Sequence, residues 1–126
     1  SLRVVFRHFP LARIHPLAER GAEVVEAAAA SGCFWEMLDL MYANHDDLSE
    51  DAFHRFVRKL KLDSRRVSRE LHEGLYRDRV RADYLGGLRS GVQGTPTFFI
   101  NGTRYAGAID FDAMVVALLQ ASQKQK

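Results

Sequence analysis

The stretch that most constrains this chain is GVQGTPTFFING, residues 91–102. Gly91 and Gly94 allow positive φ, so they can end a helix and bend the backbone without a Cβ clash. Pro96 donates no ladder hydrogen bond, so Thr95-Pro96 suits the point where a strand begins. An X-Pro bond at such a corner is also a candidate cis peptide. Thr97-Phe98-Phe99-Ile100 is β-branched and aromatic throughout, as in a buried strand. Asn101-Gly102 is the strongest short hairpin signal, and Thr103 to Ala106 is the returning strand.

Upstream of this corner the pattern is mostly helical. Leu2 to His8 is nearly continuous and apolar and reads as a strand covered on both faces. Phe9 to His15 is a loop. Pro16 can open a helix that runs to about Ser31, with Gly32 as the stop. Phe34 to about Asn44 is a second helix, with Phe34, Met37, Leu38 and Met41 on one face. Ser49 is an N-cap candidate for a third, whose stripe is Phe53, Phe56, Val57 and Leu60. Asp63 caps a short fourth helix, carrying Val67 and Leu71 and ending at Gly74. Leu75 to about Ser90 is a fifth, with Val80, Tyr84, Leu85 and Leu88 inward. After the hairpin, Asp110 caps a last helix that buries Phe111, Met114, Val115, Leu118 and Leu119.

Composition narrows the functional classes. A net charge of +2 is too small to imply a polyanion partner. The cations of residues 55–81 are interleaved with Asp63, Glu70, Glu73 and Asp78. That pattern reads as solvated helix faces with local pairs such as Asp78–Arg81 and Arg79–Asp83, and no nucleic-acid partner is expected. No apolar run reaches the length of a membrane span, so no direct membrane insertion is expected. His8, His15, His45, His54 and His72 show no metal-ligand spacing, and each reads as structural or surface. No cofactor is implied. Cys33 is the one cysteine. It lies near the start of the second helix, where a thiol can be activated, but a lone cysteine is more often a small buried hydrophobe.

The GVQGTPTFFING block resembles the cis-proline loop and hairpin of the DsbA-like thioredoxin-fold family. Val5-Phe6-Arg7-His8-Phe9-Pro10-Leu11, continuing to His15-Pro16, resembles the strand and loop that this family places after its catalytic helix. Phe34-Trp35-Glu36-Met37 with Asp39-Leu40 resembles a helix of the family's helical insertion. The three blocks occur in family order and span nearly the whole chain.

The resemblance implies a fold class. It is α/β, an incomplete thioredoxin-like fold of order strand, helices, β-hairpin, helix. Residues 1–126 form a single domain with a helical insertion over about residues 16–74. The strand and helix that carry the family's Cys-x-x-Cys would precede Leu2 and are absent. The resemblance also implies that Gly94, Thr95 and Pro96 pair with an extended peptide or protein substrate, a form of strand addition. It predicts a cis Thr95-Pro96 bond.

No residue here can be assigned a catalytic role. Disulfide exchange needs an attacking thiolate and a second thiol to resolve the mixed disulfide, and Cys33 supplies neither the motif nor the partner. The first functional expectation is therefore a relative of thiol–disulfide oxidoreductases that is redox-inactive as this chain. A non-enzymatic regulatory or interaction domain of a larger protein, such as a membrane transporter, is the alternative. A glutathione-transferase kappa or isomerase-like relative is another. Whether the chain is an enzyme, and in which compartment it works, is not determined by the residues. In the implied sheet, a missing strand would leave Leu2–His8 and Thr97–Asn101 flanking an empty slot. A homodimer closing that slot is expected, with movement of the first strand into it as the other solution.

Overall fold

The computed structural model describes residues 2–11, 16–95 and 97–124. The elements run α1 (Ala18–Ala29), α2 (Phe34–Ala43), α3 (Glu50–Lys59), α4 (Ser64–His72), α5 (Arg77–Arg89), β1 (Phe99–Ile100), β2 (Thr103–Arg104) and α6 (Phe111–Lys124). The fold is mixed α/β and mostly helical. It divides into two compact units, Ser1–Gly91 and Val92–Lys126.

In the first unit α1 is central. It packs against α2, α3, α4 and α5, and it buries Gly21 to Ala28 without a break. Small residues make this possible: Ala22, Ala27 and Ala28 let the neighbouring helices approach closely, while Val24 and Val25 fill the gaps. Met37 and Met41 from α2, Phe53, Phe56 and Val57 from α3, and Val67 from α4 complete the core. Each fully buried Val or Met side chain contributes about 1.5–3 kcal/mol.

The helix boundaries follow from local chemistry. Ser49 Oγ accepts from the Ala52 N–H, and Asp63 Oδ1 accepts from the Arg65 and Arg66 N–H groups. Three helices end in the same paired-turn motif. Gly32 (φ 76°) closes α1, Gly74 (φ 68°) closes α4, and Lys61 (φ 57°) closes α3. In each, the next residue's N–H reaches back to the last turn: Cys33 to Ala28, Leu75 to Glu70 and Leu62 to Val57, all at 3.0 Å.

Several expectations are corrected. Leu2 to His8 forms no strand. The described residues hold a single two-stranded sheet, β1–β2, and Leu2, Val4 and Val5 are 67%, 66% and 59% exposed. A ladder needs a neighbour, and none lies beside this segment among the described residues. The apolar ladder edge that this segment would lend to an open slot is therefore not formed among the described residues.

Burial also differs along the later helices. In α5 Val80 is buried as expected, but Leu85 and Leu88 are exposed and Tyr84 is half-buried. In α6 Met114, Val115 and Leu118 are half-buried, whereas Phe111 and Leu119 are exposed. The local pairs Asp78–Arg81 and Arg79–Asp83 do not form. Arg79 and Arg81 instead reach Glu26 and Glu19 of α1, and Asp83 pairs with Arg7. The acidic row of α1 lies across from α5, so tertiary partners displace the local ones.

In the second unit the hairpin turn forms where expected, between strands shorter than Thr97–Ile100 and Thr103–Ala106. Phe99 pairs with Arg104 and Ile100 with Thr103, antiparallel. Asn101 (φ 50°) and Gly102 (φ 81°) make the turn, the double positive φ that matches the right-handed twist of the strands. The apolar strand is not buried, however, since Phe98 and Phe99 are exposed. Asp110 Oδ1 caps α6 by accepting from the Ala113 N–H at 2.8 Å.

Candidate functional site

The corner before the hairpin is tightly held. Gly94 and Thr95 form a bend, with Gly94 half-buried and Thr95 exposed. Thr97 Oγ1 donates to the Gly94 carbonyl at 2.6 Å, which ties the exit of the bend to its start. Pro96, and with it the cis geometry of the Thr95-Pro96 bond, lies outside the described residues. Past the corner, the Tyr105 N–H donates to the Phe98 carbonyl at 2.8 Å and extends the ladder beyond the formal strands.

An open cleft of about 380 Å³ lies alongside, lined by Thr97, Phe98, Arg104, Tyr105, Gly107 and Ile109 among others. Its wall depends on one glycine. A Cβ on Gly107 would come 2.6 Å from the Tyr105 hydroxyl oxygen, and that hydroxyl donates to the Ala108 carbonyl. The cleft offers an arginine, a tyrosine and apolar surface. Among the described residues its lining includes no thiol and no carboxylate–histidine pair.

The first unit contains a second constellation that the sequence reading missed. His8 is 5% exposed. Its backbone N–H donates to Asp83 Oδ2 at 3.0 Å, and its ring Nε2 lies 3.3 Å from Glu26 Oε1. That ring contact is an ion-pair distance without a directed hydrogen bond. Glu26 in turn accepts from Arg79 Nε at 2.6 Å. Burial pushes the imidazole below its ordinary 6.5, against the pull of Glu26 and Asp83.

Glu23, one turn earlier on α1, is 4% exposed, and its Oε1 has no hydrogen-bond partner. A sequence signal for these groups did exist. Glu23 and Glu26 interrupt the most apolar stretch of α1, where an acid needs a partner from elsewhere.

Of the remaining candidates, those among the described residues make none of this cluster's contacts. Cys33 is the N-cap residue of α2 and half-buried, and its thiol donates weakly to the Ser31 carbonyl at 3.8 Å. His45 pairs with neighbouring Asp46, His54 and His72 are exposed, and His15 lies outside the described residues. Among the described residues no group of three His, Cys, Asp or Glu side chains is arranged to hold a metal.

A single thiol cannot both attack a disulfide and resolve the product. The class that fold and site define is a thioredoxin-like domain without a dithiol among its residues. The chain belongs to the thioredoxin family, whose model matches residues 1–120.

Its relatives are named as transporters. It is 40% identical over 121 residues to a Na(+)/H(+) antiporter NhaA 3 of Salinispora tropica, covering 96% of this chain. It is 38% identical over 121 residues to a Na(+)/H(+) antiporter NhaA 1 of Salinispora arenicola, again 96% of this chain. It is 41% identical over 119 residues, 94% of this chain, to a Na(+)/H(+) antiporter NhaA of Nitrosospira multiformis. The chain spans 19% of the length of each of these relatives. No solved structure matches it. No helix among the described residues is long and apolar enough to cross a membrane.

Proposed function

We propose that these residues form a redox-inactive, DsbA-like thioredoxin domain that serves a larger cation–proton antiporter as a regulatory or interaction module. One observation carries the reading: nearly the whole chain recurs as a minor part of proteins named Na(+)/H(+) antiporters. Residues 1–126 by themselves are proposed to be redox-inactive, because disulfide exchange needs a second thiol to release the mixed disulfide and they hold one cysteine. Within the module, Gly94, Thr95 and Pro96 are the proposed contact for an extended peptide or protein segment. The bend tied by Thr97 and the open cleft beside it are compatible with strand addition there.

Two measurements test this. Purified chain should reduce insulin only at background rate, and clear catalysis would return the domain to the oxidoreductases. The matching segment of the Salinispora tropica antiporter is then deleted, or replaced by residues 1–126, and Na⁺-driven proton movement is followed in everted vesicles. Deletion should change the rate or pH response of exchange at equal protein level, and the replacement should restore it. Exchange that is indifferent to deletion would overturn the regulatory reading.

A further inference from the structure

The segment Phe6 to Phe9 is not part of any sheet, yet it is held against three helices. Phe6 meets the rings of Phe34 and Trp35 on α2 edge-on, at centroid distances of 5.5 and 6.4 Å. Arg7 approaches Asp83 on α5 at 3.8 Å. Phe9 stacks on Tyr84 of α5 at 4.7 Å. His8 sits in the middle, buried, with its backbone on Asp83 and its ring between Glu26 of α1 and Phe34 of α2. The preceding residues Leu2, Val4 and Val5 are exposed, so on that side the attachment is carried by these four side chains, with Pro10 and Leu11 half-buried after them.

We propose that His8 is a proton-operated latch: its protonation in mild acid releases the Phe6–Phe9 segment from α2 and α5 while the helical core stays folded. The charges around the ring explain why a proton opens the latch and does not tighten it. The facing groups are Glu26 from α1, Arg79 and Asp83 from α5, and Arg7 on the segment itself.

Glu26 already has its counter-charge, since Arg79 Nε lies 2.6 Å from its Oε1. Asp83 already accepts from the His8 backbone and faces Arg7. Both carboxylates are thus shared with arginines and the ring Nε2 lacks a well-directed bond to Glu26, so their pull on an imidazolium does not outweigh its burial. A buried charge left in that state costs more than an exposed, hydrated one.

The sign follows by linkage. The docked segment binds the proton less tightly than the free segment, whose ring titrates near the ordinary 6.5. Docking is therefore at full strength above that value and is lost as pH falls through the docked histidine's own value. The proton comes from solvent and goes to the imidazole nitrogen, and no other co-reactant is needed. The latch does not depend on the transporter reading above and can be tested on the chain alone.

Trp35 is the single tryptophan and touches Phe6, so its emission reports the latch directly. The 126-residue chain is titrated from pH 7.5 downward. The His8 ring is followed by NMR, Trp35 by fluorescence and helix content by far-ultraviolet circular dichroism. The expected result is a His8 midpoint below 6.5, a Trp35 emission change with the same midpoint, and unchanged helix content. Phe6→Ala should show the acid-type emission already at pH 7.5, and folded His8→Phe should show no transition in this range. Trp35 emission that stays flat through the His8 titration would overturn the latch. So would loss of helix at the same midpoint, or an identical transition in folded His8→Phe. Should His8→Phe fail to fold, co-titration of His8 and Trp35 in the unmodified chain decides the matter.

Discussion

Arg79 of α5 reaches across to Glu26 of α1 and closes a 2.6 Å contact between an exposed guanidinium and a buried carboxylate. The two ends of this pair are not equivalent. The Arg79 side chain is 70% exposed and the Glu26 side chain 9%. Removing the arginine strands a buried charge, whereas neutralising the glutamate leaves an arginine that water can solvate. Arg79→Met is expected to cost about 1–3 kcal/mol and Glu26→Gln under about 1 kcal/mol. Urea unfolding of both variants checks the asymmetry, and equal losses would show that the pair acts as an ordinary surface bridge.

Glu23 sets a pH dependence of its own. Burial lifts its carboxyl above the ordinary 4.5, with Arg20 and Arg77 pulling the other way. The folded chain thus holds this proton more tightly than the unfolded chain. The resulting stabilisation is present in acid and is lost as pH rises through the folded value. At neutral pH the ionised Glu23 is a liability. Glu23→Gln should raise Tm at pH 7, and the gain should fade as pH drops to 4.5 and below. A Tm gain that persists unchanged at pH 4 would show that something other than ionisation is responsible.

The segment Leu2–Val5 is exposed, in contrast to the helical core. Val4 is 66% exposed and Met37 fully buried. Val4→Thr should therefore change stability by no more than about 0.5 kcal/mol, while Met37→Ala should cost about 2–5 kcal/mol. Thermal unfolding of the pair tests this. A large loss at Val4 would mean that the segment is covered in solution.

Lys61 ends α3 in the left-handed region at φ 57°, where Gly32 and Gly74 end the other two helices. A lysine there bears a Cβ strain that glycine lacks. Lys61→Gly is expected to stabilise by about 0.5–1 kcal/mol despite glycine's greater unfolded-state entropy. At the other end of the same helix, Ser49→Ala should cost about 1 kcal/mol. Chemical denaturation of the two variants should move in opposite directions.

What the sequence determined by itself is local. Ser49, Asp63 and Asp110 cap helices because their side-chain oxygens reach N–H groups two or three residues away. Gly32 and Gly74 stop helices, and Asn101-Gly102 turns a hairpin, because those positions require positive φ. The Gly-Thr-Pro corner carried the family resemblance for the same reason: its constraint lies in contiguous residues.

Only the tertiary structure decided what depends on a distant partner. Val4-Val5 has strand composition, but a strand exists only when another backbone lies beside it. Arg79 and Arg81 had local acids within reach. They pair instead with Glu26 and Glu19, because packing α5 on α1 places these acidic groups opposite them. His8 read as the end of a strand with a structural or surface role. Its burial between Glu26 and Phe34, with Asp83 on its backbone, joins residues 75 positions apart, and no local pattern encodes that meeting.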